Sequence, residues 1–196
     1  VHAGMPVLLL SAGQAGATAP ASIAGAVAQA LAEVIAGLIY VNAMKPGYPC
    51  ICGTWPFVSD LRTGAMSGGS GEQGLLTAAC AQMLRYYDLP GGAAAGMADS
   101  KMPDAQSGYE KGSTLVMAGL SGLNMVYEAA GMHASLLGFC LESLIIDNDM
   151  LGQCLRCVRG IEVNDTTVDI QVMRDVCMGG AGHYLGHDQT SALMQT

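Results

Sequence analysis

Asp99, Ser100, Lys101 and Asp104 fall within six positions, in the stretch DSKMPD, directly after the apolar run GGAAAGMA. Only 12% of the chain is charged, so this is a local concentration of carboxylate, hydroxyl and ammonium groups. Such a set can hold a ligand by charge and hydrogen bonds. A plainer use is also available, with Asp104 capping a helix and Lys101 as its exposed partner. Glu128 closes a second run, LNMVYEA. An acid in an apolar strand is costly unless it is paired or put to use, which makes Glu128 a candidate catalytic carboxylate. His133 follows in AAGMHAS, read as a loop, and offers an acid, a base or a ligand. Gln14 and Thr54 are the polar residues that follow two further runs and join the candidates for binding.

Other groups have weaker claims. Asp60 and Arg62 can pair with each other inside GTWPFVSDLRTGAMSGGSGE, a long segment that carries the only Trp and reads as a lid or mouth lining. Cys154 and Cys157 form a CxxC without a second pair, inside a segment patterned as helix, so core packing is the simpler reading. His183 and His187 are four apart, but the flanking glycines weaken a helical metal site. GGSGE at 68–72 has the composition of a phosphate cradle at a helix start. No metal site is expected.

The candidates gain meaning from what must position them. Four short runs, 6–12, 48–54, 91–98 and 123–129, lack polar alternation, as do parallel strands buried on both faces. Each precedes a longer helical pattern. Thr18 and Pro20 mark the entrance of the first helix, with Ile23, Val27, Ala30, Val34 and Leu38 on its apolar face. Leu75, Ala79 and Met83 mark a face of the second, Pro103 and Asp104 the entrance of the third, and GFCLESLIIDNDMLGQCLRCVRG forms the fourth. A last helix is expected near 165–177. Strand and helix alternating at this period predict a parallel α/β fold. A closed (β/α)8 barrel needs eight such units and the chain has about four. The expectation is one partial barrel over residues 1–196, with its chemistry at the strand ends.

Composition limits the partners. The net charge is −8 and the eight Lys and Arg are scattered, which argues against nucleic acid. An acidic surface suits cationic ligands or basic proteins. Seven cysteines, an odd number at irregular spacing, suit a reducing cytoplasm. Residues 20–44 are apolar enough to test as a membrane span, yet Gln29 and Glu33 sit mid-segment. A globular helix is expected, and no membrane. The abrupt start at VHAGMPVLLL, without Met, suggests processing or truncation.

The blocks GATAP, DLRTGAM, DSKMPDAQSGYEK, GLNMVYEAAGM and IIDNDMLG, in this order, resemble the trimethylamine methyltransferase family, which includes glycine betaine methyltransferases. The resemblance implies a TIM-barrel type fold about twice this long, of which this chain is the C-terminal half. It implies methyl transfer from a methylated amine to the Co(I) of a corrinoid carried by a partner protein. Holding a cation for that reaction suits carboxylates and aromatic faces, and the resemblance places Asp99, Tyr127 and Glu128 there, with His133 close by. Family members that use trimethylamine itself carry pyrrolysine, and none is printed here, which favours a quaternary amine such as glycine betaine. Gln189 stands where the family commonly has a His.

Two alternatives stay open at this stage. Lys101 could form a Schiff base in an aldolase-like barrel. The chain could also be a non-catalytic piece that assembles with another chain, and self-association into a homo-oligomer is equally open.

Overall fold

The computed structural model of the chain describes residues 1–194. All four runs become strands of one parallel sheet: β1 (Val7–Ser11), β3 (Cys50–Thr54), β6 (Gly91–Ala94) and β7 (Met125–Tyr127). They lie in the order β1-β3-β6-β7, so each strand pairs with the next one along the chain and every crossover runs through a helix. The crossovers are α1 (Ile23–Met44), α2 (Gly71–Tyr86) and α3 (Ala105–Leu120), and α4 (Leu141–Arg159) follows β7. Neighbouring helices pack in sequence, α1 on α2, α2 on α3 and α3 on α4. This is a mixed α/β fold with a parallel four-stranded sheet.

Small residues let these layers close. All four residues of β6 are buried. A Cβ on Gly53 would sit 2.7 Å from the Leu9 carbonyl and 3.1 Å from the Tyr127 hydroxyl, so only glycine lets that phenol lie across the sheet. Leu9 and Cys52 meet Leu31, Val34, Val41 and Leu84 in one core cluster, while Ala95, Leu115, Ala118 and Cys154 form another. Cys154 of the CxxC is thus core material.

The strand ends carry short additions. After β1 comes β2 (Gln14–Ala15), and after β3 come β4 (Phe57–Ser59) and β5 (Met66–Ser67), joined as a second small sheet. After β7 a hairpin forms from β8 (Met132–His133) and β9 (Gly138–Phe139). His133 therefore belongs to a buried strand, not to a solvated loop, because its ring is enclosed by hydrogen-bonding partners.

Helix phases differ from the pattern in two places. Helix α1 starts at Ile23 because the Ser22 hydroxyl accepts from Gly25 N, while Thr18 instead accepts from Gln14 N at 2.8 Å. Helix α2 buries Leu76, Cys80 and Leu84 and leaves Leu75 exposed, one position off the expected face. By length and composition α1 could cross a membrane. Here its Ala26, Ala30, Leu31, Val34 and Val41 are buried, it packs on β1, β3 and α2, and Glu33 accepts from Ser11 Oγ at 2.8 Å.

The chain divides into two compact units, Val1–Arg159 and Gly160–Thr196. The second contains α5 (Asp165–Val168), α6 (Ile170–Cys177) and α7 (Asp188–Leu193). The helix expected near 165–177 is broken at Asp169, whose carboxylate caps α6 by accepting from Gln171 N and Val172 N. His187 caps α7 through Nδ1, which accepts from Gln189 N at 3.2 Å. Among the described residues no group of three His, Cys, Asp or Glu side chains could hold a metal ion.

Burial pushes the Cys80 thiol up to about 12 from an ordinary value of 9.0, the neighbouring Thr54 hydroxyl opposing slightly. The folded value lies above the unfolded one. Its contribution to stability is therefore complete below about 9.0 and lost as pH rises through about 12. Cys80 is expected to resist iodoacetamide in the native full-length protein at mildly alkaline pH and to react once the protein is unfolded. Labelling before unfolding, read by peptide mass spectrometry, would contradict this burial.

Candidate functional site

The segments that follow β3, β6 and β7 converge on one cavity of about 730 Å³. Asp60, Thr63, Ala65, Met66 and Ser67 line it from the β4–β5 region, Asp99 and Lys101 from beyond β6, and Ala134 to Leu137 from the hairpin turn. Its site follows from the architecture, since loops at the C-terminal ends of parallel strands meet there. Ala65, Met66, Ala134, Leu136 and Leu137 give it an aliphatic side, and the other six lining residues are polar or charged. Met66 and Leu136 continue into an apolar cluster with Phe57, Met97, Trp55 and Tyr127.

Asp99 joins the three walls. Its Oδ1 accepts from Gly68 N at 2.8 Å, from Gly69 N at 3.3 Å and from Ser135 Oγ, and its Oδ2 accepts from Ser67 Oγ at 2.5 Å. The glycine amides of GGSGE thus hold a carboxylate of the same chain in the place where a phosphate was conceivable. Ser70 then caps α2 through Gln73 N.

The hairpin turn is fastened to the same segment. Ala134 N donates to Ser100 O at 2.9 Å and Ser135 N to Ala98 O at 2.9 Å. These bonds hold three successive non-glycine residues in the left-handed region, Ala134 at φ +47°, Ser135 at +50° and Leu136 at +78°. Backbone of this kind persists only where its surroundings over-determine it, and it collects at binding sites.

The remaining candidates are placed as follows. Lys101 is exposed on the cavity wall. Asp104 caps α3, accepting from Ser107 N at 2.8 Å and from Ser100 Oγ at 2.8 Å. Asp60 pairs with Arg62 at 3.1 Å, and those hydrogen bonds hold its carboxyl down to about 2. His133 is 2% exposed, with Nδ1 3.3 Å from Ser100 O and Nε2 2.5 Å from Ser143 Oγ. A carbonyl can only accept, so in the neutral ring Nδ1 carries the proton and Nε2 accepts from the serine.

Tyr127 meets Trp55 edge-on at 5.8 Å, behind the cavity's apolar side. Burial, and then the charge of Glu128, push its phenol above the usual range. Glu128 itself is half-buried at φ +63° and makes no hydrogen bond or ion pair with a described residue. Gln14 accepts from Ser59 Oγ at 3.2 Å on the β2–β4 side, and Thr54 is fully buried at the end of β3. The cavity wall therefore brings together Asp99 and Lys101. His133 supports the turn behind it, Tyr127 and Glu128 stand at the neighbouring strand end, and Gln14 and Thr54 lie apart from the wall.

Three contributors escaped the sequence reading: Ser67, Ser135 and Glu110. Glu110, on α3, is 7% exposed, and its Oε2 accepts from Asp99 N at 2.8 Å and Ser100 N at 3.2 Å. Nothing near Ser67 or Ser135 in the chain marks them. Glu110 carried one available signal: it and Lys111 are the only charged residues in α3.

A Schiff-base enzyme needs a desolvated lysine. Lys101 is exposed, and the buried Lys111 is tied to Asp147 at 2.6 Å.

Parallel strands, sequential helix crossovers and a cavity built by the strand-end loops define an α/β protein with an enzyme-like ligand site. The whole chain, residues 1–196, matches the family described as trimethylamine methyltransferase (MTTB), and it belongs to that family. It is 37% identical to a glycine betaine methyltransferase of Desulfitobacterium hafniense (strain Y51) over 189 residues, which cover 96% of this chain and 39% of that protein. It is 34% identical to trimethylamine methyltransferase MttB of Desulfitobacterium hafniense (strain DSM 10664 / DCB-2), across 100% of this chain and 39% of the relative. The MttB of Methanosarcina thermophila is also 34% identical, over 97% of this chain and 39% of its own length. The chain thus spans about two fifths of the curated relatives it matches.

Proposed function

We propose that the protein containing this chain moves a methyl group from a methylated amine, trimethylamine or a quaternary amine such as glycine betaine, to the Co(I) of a corrinoid carried by a partner protein. The observation that carries this reading is the cavity: an aliphatic side latched by a carboxylate, at the strand ends of a chain in this family. Methyl groups are served by Ala65, Met66, Leu136 and Leu137, and the positive nitrogen by the negative charge of Asp99. Glu128 and the Trp55–Tyr127 corner offer a second negative and aromatic surface for a cation at the adjoining strand end.

The corrinoid enters as the methyl-accepting substrate and not as a group held by this chain. The chain's own contribution is to bind the amine, orient one methyl toward the opening and keep the walls dry, which is chiefly positioning. In such a reaction a quaternary amine leaves as a neutral tertiary amine and needs no proton.

In architecture, we read residues 1–196 as the C-terminal half of a (β/α)8 barrel. Two features support this. The sheet ends at β1 and β7, and Leu8 and Leu10 are exposed on one face of β1, as they would be if further strands closed the sheet over them. A groove of about 350 Å³ between α3, α4 and β7, lined by Leu115, Leu123, Val126, Leu151 and Leu155, offers room beside the last strand.

The test is methyl transfer by the full-length protein, with a Co(I) corrinoid protein as acceptor and trimethylamine, glycine betaine and tetramethylammonium as donors. Methylation of the cobalt by at least one donor, seen in its absorption spectrum, is expected. No transfer from any methylated amine would overturn the reading.

A further inference from the structure

Glu110 has no atom in the cavity wall, yet the wall depends on it. Its Oε2 receives two successive backbone amides, Asp99 N and Ser100 N, and its Oε1 receives Gln106 Nε2 at 2.8 Å. Asp99, so placed, latches Ser67 to Gly69 on one side and Ser135 on the other. The fit around Glu110 is close: a Cβ on Gly69 would lie 2.7 Å from its Oε2 and 2.9 Å from Asp99 N.

Charge adds to geometry. Neither Glu110 nor Asp99 forms an ion pair with a described residue, so both carboxylates are met by amide and hydroxyl dipoles alone. Of the other charged groups at the cavity, Asp60 is neutralised by Arg62 and Lys101 is exposed and able to turn toward water. Two negative charges therefore meet at one side of the cavity, Asp99 in its wall and Glu110 behind it. A quaternary ammonium cannot donate a hydrogen bond, so a carboxylate whose oxygens already accept hydrogen bonds can still attract it through its field.

We infer that Glu110 is the positioning residue of this cavity and the hidden source of its preference for a cation over an uncharged group of the same shape. This rests on the methylated-amine reading and names how that site would recognise its substrate. The test uses the full-length protein and a matched pair of ligands, glycine betaine and 3,3-dimethylbutanoate, in which a tert-butyl carbon replaces the trimethylammonium nitrogen. Binding is measured by calorimetry for the wild type, Glu110→Gln and Glu110→Ala.

The wild type is expected to prefer glycine betaine, whose head group is cationic where that of its partner ligand is uncharged. Glu110→Gln keeps an oxygen for the two amides but loses the charge, and is expected to reduce the preference for trimethylammonium over tert-butyl about tenfold, the carboxylate common to both ligands cancelling in that ratio. Glu110→Ala leaves the amides unmet and should weaken both ligands together. An unchanged preference in Glu110→Gln, or an equal loss of both ligands, would overturn the inference while leaving wild-type methyl transfer to stand. A wild type that binds neither ligand would overturn the inference, and the methylated-amine reading itself falls only if no methylated amine donates a methyl group.

Discussion

Replacing Lys111 by methionine in the full-length protein is expected to lower its stability by about 3–5 kcal/mol, the range for removing one member of a buried ion pair. Lys111 is 0% exposed at its side chain and Asp147 5%. The ammonium on α3 and the carboxylate on α4 meet at 2.6 Å, and the same Oδ2 accepts from Gly131 N at 2.7 Å. Methionine fills the lysine stem but leaves Asp147 charged, buried and met only by that amide. Adding Asp147→Asn should recover most of the loss, because its carbonyl oxygen still serves Gly131 while the unpaired charge is gone. The midpoint of urea unfolding at unchanged slope measures both steps. A single variant as stable as the wild type, or a double variant no better than the single, would contradict the role given to the pair. Because Gly131 leads into β8, this cluster also anchors the hairpin that closes the cavity.

Much of this framework was legible in the chain because it is local. Runs without polar alternation, such as PVLLLSA and GGAAAGMA, gave the four parallel strands, since a strand buried on both faces needs no alternation. The charged cluster after the third run was legible for the same reason: Asp99 and Lys101 mark where buried sheet gives way to the cavity wall. Helix phase was less secure. In α2 both Leu75 and Leu76 are available, and the buried choice of Leu76, Cys80 and Leu84 is made by the strands beneath. Pairings across the fold left no local trace. Ser67 and Ser135 are ordinary serines until folding brings them, 32 and 36 residues away, to one carboxylate. Lys111 and Asp147 stand 36 residues apart on two helices, and nothing local to either names the other as its partner. Gly68 and Gly69 suggested an external anion because free amides in a glycine-rich turn can donate to any carboxylate or phosphate of the right shape. The chain itself supplies Asp99.

That internal anion makes Asp99 the residue with the largest expected effect on turnover. Asp99→Ala removes the acceptor from two loop amides and two serine hydroxyls at once. The turn at Ala134 to Leu136, held at positive φ by these and two backbone bonds, then has a cheaper conformation within reach. Three cavity walls are released together, and a displacement near 1 Å at a positioned substrate is worth about a hundredfold in rate. We expect kcat/KM for methyl transfer by the full-length protein to fall by about that factor in Asp99→Ala, with faster limited proteolysis in the hairpin turn. Asp99→Asn separates the latch from the charge. Its carbonyl oxygen can still accept from Gly68 N, Gly69 N and Ser135, and Ser67 can turn to accept from the new amide, so protection from proteolysis should return. Its turnover should recover only in part, because the negative field on the cation is still missing. Wild-type kcat/KM in Asp99→Ala would show that the walls hold without the latch, and full recovery in Asp99→Asn would show that the charge adds nothing to the latch.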